Sequence, residues 1–179
     1  FYVGQSIFFA VFFYIFQTNL ALVVEARGLG DSVLAGQILS CQSAVGIVSG
    51  VLGGRVLGKL GDYALPAILA EFSILACAGV GQLVVYLSGS SAPLFLAAAI
   101  MGFFFSIRMP AGYLKSTHSV APAAATMAIA VYCSSSQVGQ FLSPTAVNGL
   151  SSLLGLGLEE KFLFGALALL AAAALSALW

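Results

Sequence analysis

Gly46-Ile-Val-Ser-Gly50-Val-Leu-Gly-Gly54-Arg-Val-Leu-Gly58-Lys-Leu-Gly-Asp62 decides how this chain is read: an apolar helix with glycine at every fourth position runs into a short charged turn. At that spacing Gly46, Gly50, Gly54 and Gly58 share one helical face. A face without side chains lets a neighbouring backbone come close. This is how helices associate in lipid, where apolar surface gains nothing by leaving one apolar medium for another. The turn that follows, with Lys59, Gly61 and Asp62, separates two long hydrophobic stretches.

Hydrophobic residues make up 61% of the chain and charged residues 7%, and the mean hydropathy is +1.09. That leaves too little polar surface for a water-soluble globule, so the composition indicates an integral membrane protein. A net charge of zero gives no reason to expect a nucleic-acid partner. Cys41, Cys77 and Cys133 fall in separate apolar stretches without CxxC or Cys/His spacing, which argues against zinc or an iron–sulfur cluster. No cofactor is implied. The first segment lacks a basic region followed by a cleavage site and is read as a span rather than a signal peptide.

About 20 mostly apolar residues cross the hydrocarbon of a bilayer. Six stretches qualify, near 2–24, 33–57, 64–88, 92–117, 123–147 and 160–179, giving one all-α transmembrane domain over 1–179. Pro66, Pro93 and Pro122 stand near helix starts, whereas Pro110 and Pro144 are interior and are expected to kink their helices. Arg55, Lys59 and Lys115 lie on one side against Asp62. Arg27 and Lys161 lie on the other with Glu25, Asp31, Glu159 and Glu160. The positive-inside rule then makes the basic loop and both chain ends cytoplasmic.

Polar residues concentrate on the first, second and fifth spans, and the stretch from Phe162 has Ser176 as its one polar residue. Polar groups avoid lipid, so the first, second and fifth spans are expected to line a cavity or an interface and the sixth to face the bilayer.

The turn after Gly54 resembles the glycine-and-basic loop of the major facilitator superfamily. Gly54, Lys59 and Gly61 fit that pattern; Gly58 stands where the family has an acid, and Asp62 and Tyr63 where it has basic residues. Leu22-Val-Val-Glu25-Ala-Arg-Gly-Leu-Gly30 with Leu34-Ala-Gly36 resembles the first outer loop of a six-helix half. Gly139-Gln140-Phe141-Leu142-Ser143-Pro144 is similar to a segment of the family's eleventh helix, most like that of bacterial drug or metabolite exporters. The resemblance implies the C-terminal half of such a bundle, with an internal 3+3 inverted repeat, in a bacterial inner membrane. It implies secondary transport by alternating access, as proton-coupled efflux or antiport of a small molecule, with partners that include the N-terminal six-helix half or a second copy of the chain. Gly46, Gly50, Gly54, Gly58, Lys59, Gly61, Asp62, Glu71, Pro110 and Pro144 are then the expected gating or structural positions.

Charges within spans are functional candidates by default. Glu71 and Arg108 lie at comparable depths, roughly 10–12 Å from the basic side at the helical rise. They either pair as a latch or snorkel separately, and Arg108 has the further option of holding an anionic substrate or steering a proton. Gln17, Asn19, Gln42, Tyr132, Gln137 and Gln140 are candidate substrate contacts, because amides and phenols make directional hydrogen bonds without a charge to desolvate; each is equally suited to joining helices. His118 reads as a loop residue. No Gly-x-Ser-x-Gly nucleophile turn supports an enzyme, and no paired Asn-Pro-Ala motifs support a channel. A six-helix channel and a non-transporting scaffold are the alternatives.

Overall fold

In an apolar layer the backbone finds no water to bond, so each long stretch closes its own hydrogen bonds as a helix. The computed structural model describes residues 2–60 and 64–176, and over them the chain is helical with no strand. We number the long helices α1 (Tyr2–Ala26), α2 (Ser32–Leu60), α3 (Ala64–Leu87), α4 (Ser91–His118), α5 (Ala125–Leu154) and α6 (Glu160–Ser176). Within α3, residues Leu75–Val80 form a π-helical segment. Four helices, α1 to α4, are long and apolar enough to cross a membrane. The fifth is 30 residues long but richer in Ser, Gln and Thr, and the sixth is described over 17 residues.

Local chemistry sets the helix ends. Asp31 caps α2, its Oδ1 accepting from the Val33 and Leu34 amides at 3.0 and 3.3 Å. The ends of α1 and α5 use one device. Gly28 (φ 63°) and Gly155 (φ 65°) take the left-handed conformation, and the next amides, Leu29 and Leu156, reach back to Val24 and Ser151 at 3.0 and 2.9 Å. This corrects the expected limit of the fifth span. The helix continues through Pro144, Asn148 and Gly149 to Leu154, so the last turn is Gly155 to Glu159 and not the longer run from Asn148. A single proline removes one hydrogen bond, which a long helix in lipid absorbs more readily than it exposes a whole turn.

Two seams organise the bundle. In the α1–α5 seam Gly139 lies against the Ile7 carbonyl and the Ala10 side chain, and the Ser143 hydroxyl donates to the Val11 carbonyl at 2.6 Å. In the α2–α4 seam Gly102 lies directly under the Gln42 carbonyl, and Gly46 faces Ser106. Stacked rings of Phe13 and Phe105, 4.7 Å between centroids, join α1 to α4. Behind them α3 packs on α4, where the Cys77 thiol donates to the Met101 carbonyl at 3.2 Å, and α6 closes against α3 with Leu170 over Gly79.

The expected glycine face of α2 is thus only partly in use. Gly46 and Gly50 face Ser106, whereas Gly54 and Gly58 have nothing within 4 Å among the described residues, because the line of contact with α4 passes instead to Gly53, which faces Ile107, and to Leu57, buried in one cluster with Ala111. Gly61 and Asp62 lie outside the described residues.

Gly102→Ala is expected to destabilise the protein by about 1–3 kcal/mol, the usual cost of forcing volume into a packed seam. Gly54→Ala should leave stability unchanged or slightly raised, since alanine is the better helix former. Thermal unfolding of the detergent-solubilised protein reads both.

Candidate functional site

Where α2 and α4 cross on glycines, the missing side chains open a cavity of about 340 Å³ against α1. Phe13 and Gln17 of α1, Gln42, Ser43 and Gly46 of α2, and Gly102, Phe105 and Ser106 of α4 line it. The Gln17 Nε2 donates to Gln42 Oε1 at 3.4 Å, and Gln42 Nε2 is buried with no partner among the described residues. A buried amide donor without a partner, on a residue that borders a cavity, is a candidate point of contact for a polar solute. A second cavity, about 280 Å³, lies nearer the Lys115 end of the bundle between α1, α4 and α5. Tyr2, Val3, Ser116, Val131 and Tyr132 are among its lining residues.

Arg108 lies at the level between these cavities, 1% exposed. Its guanidinium carbon stands 3.8 Å from the centre of the Phe9 ring and 5.7 Å from that of Tyr132. Gly112, one turn further along α4, provides the room for the Tyr132 ring. The Arg108 Nε and Nη1 have no hydrogen-bond partner among the described residues.

Of the two alternatives for Glu71 and Arg108, the latch is not formed. Glu71 instead pairs with Lys115 and accepts from Gln5 Nε2 at 2.9 and 3.1 Å; the same Nε2 reaches the Ser176 hydroxyl at 2.8 Å. The Lys115 ammonium also stands 4.9 Å from the Tyr2 ring centre. One polar cluster thus ties α1, α3, α4 and α6 together at this end. Arg108 and Lys115 are seven residues apart and project from similar sides of α4, two turns apart along it; Glu71 meets the one nearer the helix end, and Arg108 lies against Phe9 of α1 and Tyr132 of α5.

At the opposite end Arg27 works as a clamp. Its Nη1 donates to the carbonyls of Val85 and Ser88 at 2.8 and 2.5 Å, its Nη2 to that of Tyr86 at 3.3 Å, and its Nε to Glu159 at 2.6 Å. These carbonyls lie at the end of α3, where helical partners run out, and that of Val85 also accepts from the Ser88 amide at 3.4 Å and hydroxyl at 3.0 Å; a cation there meets the negative end of the helix dipole. The hydrogen bond from Arg27 holds the Glu159 carboxyl below its ordinary value near 4.5.

The other expected contacts fall elsewhere. Asn19 is buried but donates to its own helix, to Ile15 at 3.1 Å and Thr18 at 2.9 Å. Gln137 and Gln140 are exposed on α5 and border neither cavity described above. Sequence reasoning passed over Gln82, fully buried on α3, whose Nε2 donates to the Phe12 carbonyl at 2.5 Å; a glutamine among valines and leucines was the available signal. Among the described residues no group of His, Cys, Asp and Glu is arranged to hold a metal. No protein-family model matches the chain, and no curated protein is significantly similar to it.

A double-mutant cycle with Glu71→Ala and Lys115→Ala is expected to give a coupling of about 0.5–3 kcal/mol in unfolding, whereas Glu71→Ala and Arg108→Ala, which share no partner, add. The Arg27–Glu159 pair has a measurable pH signature. A carboxyl whose pKa is lower folded than unfolded stabilises the fold above the ordinary carboxylate range, and this is lost as pH falls through the folded value. Glu159 is 46% exposed, so the expected contribution is about 0.2–1 kcal/mol. The stability difference between wild type and Glu159→Gln, followed by thermal unfolding from neutral to acid pH, should shrink to nothing at the acid end.

Proposed function

We propose that this chain is one six-helix half of a secondary active transporter of the major facilitator type, which moves a small molecule by alternating access. The observation that carries the reading is the pairing of the seams. Placing α1, α2 and α3 onto α4, α5 and α6 carries the α1–α5 seam onto the α4–α2 seam, as an internal repeat of two three-helix units would. This puts α1 and α4 at the centre, α2 and α5 on the flanks, and α3 and α6 behind, in keeping with the sequence resemblance.

The partner is a second six-helix unit, met across the flanks of α2 and α5 and supplied by the same polypeptide or by a second copy. The protein sits in a bacterial inner membrane with the basic turn and both ends of the chain on the cytoplasmic side. Proton-coupled efflux of a drug or metabolite is the work assigned to it. Glu71, held by Lys115 and Gln5 near that side, is the carboxylate available to take up and release a proton. The Gln17–Gln42 pair supplies amide contacts for the solute.

Reconstituted into proteoliposomes with an imposed pH gradient, the full-length protein is expected to exchange protons for solute with saturable kinetics, and Gln42→Leu to lower kcat/KM roughly tenfold, the loss of about one buried hydrogen bond. Flux rising linearly with concentration would indicate a channel, and no flux for any solute of a broad panel would remove the transporter reading.

A further inference from the structure

The charge on Arg108 is the least compensated feature of the molecule. It is 1% exposed, and its Nε and Nη1 donate to nothing among the described residues. Glu71, the carboxylate set deepest within a span, is engaged by Lys115 and Gln5. The Phe9 face at 3.8 Å offsets part of the cost, but a ring contributes about 2 kcal/mol when desolvated, against several for burying an ion. A guanidinium in this state calls for an anion.

Its place along the helices shows where that anion enters. On α1, Phe13 and Gln17 border the Gln42 cavity and Tyr2 and Val3 the Tyr132 cavity, with Phe9 between them. On α4, Phe105 and Ser106 border the first and Ser116 the second, with Arg108 between them. Phe9 and Arg108 therefore lie at the level between the two cavities, with Tyr132, in the wall of the second, 5.7 Å from the guanidinium. One guanidinium balances one negative charge; a dianion would bury a second charge unpaired. Val3, Val120, Met127 and Val131 around the Tyr132 cavity suit an apolar body beside that single charge.

We propose that Arg108 is the receptor for the carboxylate of a small monovalent organic acid, which enters from the Tyr132 cavity and draws the guanidinium off the Phe9 ring as it binds. This rests on the transporter reading above and names the solute class for its path. A fatty acid in the bilayer presents the same group as a soluble acid, so both are tested.

Thermal unfolding of the full-length protein in phosphatidylcholine nanodiscs is followed with added benzoate, with oleate in the bilayer, and with benzamide as the uncharged match. Benzoate is expected to raise Tm saturably and benzamide not to. Arg108→Lys should weaken the response and Arg108→Gln abolish it. A response to oleate alone assigns the site to a lipid-derived acid and keeps the carboxylate receptor. The proposal is overturned if wild type responds to neither carboxylate, if benzamide acts as well as benzoate, or if Arg108→Gln still responds. The wild-type comparison decides even where Arg108→Gln does not fold. Saturable flux of other solutes with no carboxylate response removes this inference alone, whereas benzoate binding without flux of any solute removes the transporter reading and leaves the site.

Discussion

Two helix crossings in which a glycine receives the backbone carbonyl of its neighbour hold this bundle in register: Gly102 under Gln42, and Gly139 under Ile7. Between helices in lipid there is no gain from hiding apolar surface, so attraction must come from close packing and hydrogen bonds. Glycine allows the approach, and once the backbones are that close the small polar side chains nearby can reach across, as Ser143 does to Val11. The same crossing that locks α2 to α4 also places Gln42 beside Gln17, so the cavity is a consequence of the seam.

The bundle is fastened differently at its two ends. Near the Gly28 turn, Arg27 gathers the last carbonyls of α3 and the Glu159 carboxylate, so a loop cation adds to the cap that Ser88 places on the Val85 carbonyl. At the other end, Glu71, Lys115, Gln5 and Ser176 join side chain to side chain across four helices. The first arrangement is anchored on backbone carbonyls that stay put as long as α3 is folded. The second rests on side chains alone, one carboxylate and one ammonium with two polar partners.

Much of the fold was legible from composition and punctuation. Span-length apolar runs separated by Gly, Asp, Ser and Pro located every long helix, and Asp31 and Gly28 ended up at turns as expected. What escaped was rotation. Depth along a helix follows from counting residues, but the direction a side chain faces depends on the neighbour. Hence Gly53, and not Gly54, continues the line from Gly46 and Gly50 against α4. The end of α5 differs from the expected 147 because Asn148 and Gly149 resemble breakers in water, where exposed backbone is cheap. Of the candidate contacts, Gln17, Gln42 and Tyr132 line cavities, Arg108 stands between them, and Asn19, Gln137 and Gln140 do neither.

The exposed glutamines carry a structural consequence of their own. On α2, Gln37, Ser40 and Ser43 are exposed, and on α5, Ser134, Gln137, Gln140 and Thr145, whereas the exposed side of α6 offers Leu167 and Leu175. Hydroxyls can fold back on their own helix, as Ser40 and Ser43 do, but a glutamine amide facing hydrocarbon has no such option at low cost. The exposed amides are thus confined to the flanks, where they stand among exposed apolar residues such as Ile47 and Val51 on α2 and Val138 and Phe141 on α5, and the flanks belong to the two helices that border the central pair α1 and α4. Covering α2 and α5 with another protein surface would satisfy the amides and, in the same step, turn the Gln17–Gln42 cavity toward the inside of the assembly. The requirement that shields the flank amides from lipid is therefore the one that would convert an open side pocket into a central compartment.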